Sequence, residues 1–140
     1  MRVGVFLLAV LLAGSALADE YRNQVEMTAT LLNAPASSFE RVCLRLKGKL
    51  TEGEGISKCE RGRSLLAISY VDDVVTWAMI AYPATPEDIE GLWQTARELL
   101  DKPDSVSERE LSWRLSKGVR ASAGYDREYS TFILARPKSR

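Results

Sequence analysis

The chain has 140 residues, 46% of them hydrophobic, with 19 basic and 19 acidic side chains and no histidine. That length makes one domain with a core of its own, and a net charge of zero speaks against a nucleic-acid partner. The missing histidine removes the commonest general base, the commonest metal ligand and the usual pH switch.

The first segment has the form of a secretory signal peptide over residues 1–18. Arg2 is its positive end, Val3 to Leu12 is apolar with one glycine, and Ala16–Leu17–Ala18 is the small-x-small cleavage pattern, leaving Asp19 as the mature N-terminus. The apolar stretch falls short of the ~20 residues that cross a bilayer, so no stable membrane insertion is expected after cleavage. Residues 19–140 then form a single α+β domain in a periplasmic or secreted location. Oxidising surroundings predict a structural disulfide between Cys43 and Cys59. Two thiols without histidine are too few for a zinc site, and no metal or cofactor is expected.

Val25, Met27, Ala29 and Leu31 alternate with Glu26, Thr28 and Thr30, which predicts a half-buried strand over residues 24–31. Ser37 and Glu40 have capping-box spacing, and Phe39, Val42, Cys43, Leu46 and Leu50 follow at helical intervals. Gly48, Gly53, Gly55 and Gly62 mark a glycine-rich connection carrying Cys59. Residues 64–70 and 74–82 read as a hairpin turning at Val71–Asp72–Asp73, with both faces of its strands apolar, as central strands or strands covered by a partner would be. Thr85–Pro86–Glu87–Asp88 opens a helix: the threonine caps, proline takes the first turn, and the acids complement the dipole. Ile89, Leu92, Trp93, Ala96, Leu99 and Leu100 form its buried stripe, Lys102–Pro103 ends it, and Gly91 within it has no sequence rationale.

Three strands close the chain, near residues 110–116, 119–125 and 128–135. A three-residue loop at Lys117–Gly118–Val119 would pair Trp113 with Ala123, and a turn at Asp126–Arg127 would set Ala121 against Phe132 and Tyr129 over Gly124. One face becomes a core of Leu111, Trp113, Leu115, Ala121, Ala123, Tyr125, Phe132 and Leu134. The other carries Arg114, Arg120, Ser122, Tyr129, Thr131 and Ile133. The first six elements have the βαββαβ order of a ferredoxin-like split βαβ, with an extra C-terminal hairpin on a mostly antiparallel sheet packed by two helices.

Catalytic machinery is sparse. No Gly-x-Ser-x-Gly elbow or Ser-x-x-Lys pair is present, and no Ser-His or Cys-His pair can be assembled. Asp72–Asp73 suits a turn better than a cation site. Charge is segmented: residues 41–63 hold seven basic and three acidic side chains (net +4), residues 71–110 three and ten (net −7), residues 111–140 seven and two (net +5). Arginine beside tyrosine on a firm sheet is the composition of an interface hot spot, which makes Arg114, Arg120 and Tyr129 the candidate partner-binding residues. The expected function is a non-enzymatic factor that binds another envelope or exported protein, such as an inhibitor, an immunity protein or an assembly accessory. The alternatives are a small carboxylate-dependent cell-envelope hydrolase or a small-ligand-binding module.

Overall fold

The computed structural model describes the backbone of residues 2–137 and the side chains of residues 17–137. A long helix, α1 (Arg2–Leu31), is followed by a short one, α2 (Phe39–Arg45), and by four strands, β1 (Lys49–Gly53), β2 (Ile56–Arg61), β3 (Ser64–Val71) and β4 (Val74–Pro83). Helix α3 (Pro86–Leu100) leads into β5 (Ser105–Val106), β6 (Glu110–Arg114), β7 (Arg120–Tyr125) and β8 (Tyr129–Ala135). All eight strands share one antiparallel sheet in the order β1-β2-β3-β4-β8-β7-β6-β5. The chain is thus an α+β protein made of two four-stranded meanders, each preceded by helix and joined through their last strands. The ferredoxin-like order expected from the sequence is not what forms, because the first expected strand is helical and three unforeseen strands extend the sheet.

Residues 24–31 belong to α1, not to a strand. Tyr21, Gln24, Val25, Thr28 and Leu31 are all buried, and at 100° per residue they fall within an arc of roughly 120°. Met27 is only half-buried and Ala29 is exposed, so the alternation carries no packing. Buried Thr28 stays satisfied by donating its hydroxyl to the Val25 carbonyl at 2.6 Å. The signal-peptide expectation falls mostly on residues 1–16, whose side chains lie outside those described.

The capping box does not form either. A 3₁₀ turn over Ala36–Ser38 precedes α2, and no side chain caps it. Ser37 instead directs its backbone N–H (2.9 Å) and hydroxyl (3.3 Å) to the carboxylate of Asp73. Phe39 and Cys43 are buried from α2 as expected, whereas Leu50 lies in β1. The glycine-rich connection is a hairpin, with Gly55 supplying the positive φ of 72° that its tight turn needs. Cys59 therefore sits on β2, and its disulfide to Cys43 ties the sheet to α2. The next turn is as read: Asp72 and Asp73 adopt φ of 51° and 61° between β3 and β4.

Helix α3 begins as its sequence dictates. The Thr85 hydroxyl oxygen accepts the Asp88 N–H at 3.1 Å, with proline in the first turn. Gly91 now has its reason. The Tyr21 ring of α1 lies against it, and a Cβ there would fall inside the ring's van der Waals envelope. Helix propensity alone makes Gly91→Ala stabilising by about 1 kcal/mol; crowding reverses the sign, and we expect a net loss of about 1–2 kcal/mol in a urea melt.

All three helices cover one face of the sheet. Tyr21 of α1 meets Tyr82 edge-to-face at 5.2 Å, Trp93 of α3 packs at 6.0 Å from Tyr125, and α2 is bonded to Cys59. The core on that face runs through Cys59, Leu66, Ile80, Phe132, Ala123 and Leu111, which follow one another across six neighbouring strands.

The register of the last three strands departs from expectation by two residues at each hairpin. Ser116–Gly118 forms a 3₁₀ turn in which Lys117 and Gly118 both take positive φ, placing the three-residue loop one position earlier so that Arg114 pairs Arg120 and Trp113 pairs Ala121. Ala121 pairs Leu134 rather than Phe132, and Gly124 pairs Thr131 rather than Tyr129. A shift of two preserves the period-2 facing of every side chain, so both faces hold the residues assigned to them.

Candidate interaction face

The face turned away from the helices carries three rows across the sheet. One runs Lys49, Glu60, Leu65, Ala81, Thr131, Gly124 to Glu110. The middle row runs Thr51, Lys58, Ala67, Met79, Ile133, Ser122 to Ser112. The third runs Ile56, Ser69, Trp77, Ala135, Arg120 to Arg114. Leu65, Trp77, Met79 and Ile133 are only half-buried here, and among the described residues no helix crosses them. They form an apolar centre with charged flanks. Its signal was present in the sequence, since β3 and β4 are apolar on both faces.

Arg114 and Arg120 are exposed and directly opposite each other. Like charges in that position are destabilising. Among the described residues neither forms an ion pair, which only Arg22–Glu26 and Arg63–Asp88 do. Asp104 uses its carboxylate to accept the backbone N–H of Arg114 at 2.6 Å. Tyr129 shares the face and is 47% exposed, but stands at the far end of β8, opposite Pro83. Six residues of strand put it about 20 Å from the arginine end. The three candidate residues therefore share a surface without forming a cluster. Tyr129 is held in place by Asp126, whose carboxylate accepts the N–H groups of Glu128 and Tyr129 at 2.8 Å each; those bonds pull the Asp126 carboxyl below its ordinary range.

On the helix face a second polar constellation lies at the junction of α1, α3 and the β2–β3 turn. Asp88 is fully buried; one oxygen accepts the Tyr21 hydroxyl at 2.7 Å, and the other accepts the Thr85 hydroxyl at 2.7 Å and pairs with Arg63. Both carboxylate oxygens are thus engaged by protein donors, and the side chain is shut away from solvent. The dipole role expected of Asp88 holds, but its larger part is to join three elements. A groove of about 280 Å³ between α1 and α3 borders it, lined in part by Leu17, Tyr21, Glu90 and Gln94. Among the described residues no group of three or more Cys, Asp or Glu could hold a metal ion, and no helix is long and apolar enough to cross a membrane.

Burial first, then the hydrogen bond to Asp88 and the Asp88 and Glu87 charges, push the Tyr21 phenol above its ordinary 10.0, against a smaller opposing pull from Arg63. Tyr82 is raised likewise, by burial and then by Glu20 and Asp88, with Arg63 and Arg61 opposing. Both phenols hold their proton more tightly folded than unfolded. Their contribution is complete below pH 10 and lost as pH rises toward the folded values. Urea melts should show constant stability approaching pH 10, then a fall of up to about 1.4 kcal/mol per pH unit for each phenol. Tyr21→Phe should make that fall shallower.

No family model and no curated protein matches the chain. Among solved structures it is similar to a cysteine-rich secretory protein from Staphylococcus aureus, at 7% identity and a TM-score of 0.36. The match covers 76% of this chain and 44% of that one, so the chain spans under half the length of its structural neighbour. A likeness of that size assigns neither fold nor activity.

Proposed function

We propose that the chain is an exported, non-enzymatic protein-binding factor, of the inhibitor, immunity-protein or envelope assembly-accessory kind, working through the face of its sheet that the helices leave open. One observation carries this reading: an eight-stranded sheet packed by helices on one side presents, on the other, a half-buried apolar centre beside two arginines that have no acidic partner among the described residues. Depleted charge at the middle and arginine at the margin is the anatomy of a protein interface. The disulfide and the signal-like leader support an oxidising, extracytoplasmic location.

The test is affinity capture of the full chain from its native envelope, with wild type beside Arg114→Glu. We expect one stoichiometric partner, lost in the variant. Stability should meanwhile rise by a few tenths of a kcal/mol, because the introduced carboxylate faces Arg120 where two cations faced each other before. Equal capture by both proteins, or no partner for either, would overturn the reading.

A further inference from the structure

Arg114, Arg120 and Arg136 line one depression of about 650 Å³, together with Gly118, Val119, Ala135 and Pro137 and with no carboxylate. A neighbouring depression of about 660 Å³ shares the Ala135–Arg136–Pro137 wall and runs to Trp77, Val74 and Val71, with Asp72 and Thr76 also lining it. The basic and apolar halves therefore adjoin along a single ridge. In strand order Trp77, Ala135, Arg120 and Arg114 occupy β4, β8, β7 and β6. At about 4.8 Å per strand, Trp77 stands about 10 Å from Arg120 and about 15 Å from Arg114.

We infer that this half of the open face receives an extended protein segment carrying one large apolar side chain and, two to four residues along it, a pair of carboxylates. The apolar side chain seats beside Trp77 and the carboxylates on Arg120 and Arg114. Extended chain places side chains of one face about 7 Å apart at i, i+2 and about 14 Å at i, i+4, which fits the row. Arg114 and Arg120 sit opposite each other on neighbouring strands with neither in an ion pair among the described residues, and a guanidinium matches a carboxylate in bidentate geometry. Other occupants fit less well. A second copy would set arginines against arginines, and residues 138–140 of the chain add two more basic side chains. An anionic bilayer would meet Asp104 and Glu110 beside the same arginines, whereas a protein segment can place its acids only where the cations are.

This inference rests on the protein-binding reading, and its test separates the two. The full chain, labelled with ¹⁵N, is titrated with acetyl-Phe-Thr-Glu-Thr-Glu-amide and with the same peptide bearing lysine for glutamate. The expected result is saturable perturbation of the Trp77 indole and the Ala135 and Arg120 amides by the acidic peptide alone. Affinity should fall at least tenfold in Arg114→Gln/Arg120→Gln, a pair of exposed substitutions that leaves the core untouched. Equal perturbation by both peptides or by neither, binding to phosphatidylglycerol vesicles in place of the peptide, or dimerisation through this face would each overturn it. Acidic-peptide binding without any captured partner would retain this inference and remove the wider reading. A partner lost in Arg114→Glu but captured equally well by Arg114→Gln/Arg120→Gln would do the opposite.

Discussion

Asp88→Ala should cost about 3–4 kcal/mol of stability, on the order of 10 °C in Tm for a domain of this size. The carboxylate is fully buried and is the common acceptor for Tyr21, Thr85 and Arg63. Alanine removes all of them at once. The Tyr21 hydroxyl is left beneath α3 without an acceptor, the guanidinium loses its counter-charge, and the first turn of α3 loses its reciprocal link to Thr85. Removing a single donor should cost less: Tyr21→Phe about 1 kcal/mol, since the carboxylate keeps its other partners. Arg63→Ala in the Asp88→Ala background should add little, because the pair it would break is gone. Urea melts of the four proteins measure this. A loss below about 1 kcal/mol for Asp88→Ala would mean water reaches the site and replaces the protein donors.

The second large effect concerns the bond between Cys43 and Cys59. These residues are 16 apart in sequence, and both sulfur-bearing side chains are buried at 1% exposure. Closing a loop of that length restricts the unfolded chain by about 3 kcal/mol. Cys43→Ala/Cys59→Ala, or full reduction, should lower stability by about that much. The loss should be uneven: amides of α2, β1 and β2 should exchange hydrogen much faster than those of β4 and β8, because α2 is held to the sheet through this bond and β1 is an edge strand. Unchanged melts under reductant would show that packing of Phe39 and Leu50 suffices without the crosslink.

What could be read from the sequence depended on how local each signal was. The start of α3 needs only four consecutive residues, Thr85 to Asp88, and it forms as they dictate. The facing of the last three strands was also legible, because parity survives the register slips of two found at both hairpins. Helix α1 was hidden by polar residues on its buried stripe: Gln24 and Thr28 interrupt the apolar period, while Val25 and Leu31 satisfy an alternation equally well. Strands β1, at the sheet's edge, and β2 beside it combine glycine, lysine and glutamate, poor strand formers tolerated where only one face is packed. The Asp88 constellation is not a local property. Tyr21 and Arg63 lie 67 and 25 residues from it, and only the packing of α1 against α3 brings them together. Arg114, Arg120 and Tyr129 could be placed on one open face, but that the two arginines pair and that Tyr129 stands apart from them depended on the register.

The joining of the two meanders through β4 and β8 has a consequence for how the chain reaches this fold. The middle of the sheet pairs residues 77–83 with residues 129–135, so the central ladder cannot begin to form until the last strand has been synthesised. Until then β4 has a bare edge and α1 lacks its packing against β8. Non-local pairing of this kind folds slowly, on the scale of milliseconds to seconds. A chain built in this way can form only its local hairpins until its C-terminal strand emerges, and the junction of the two meanders closes last.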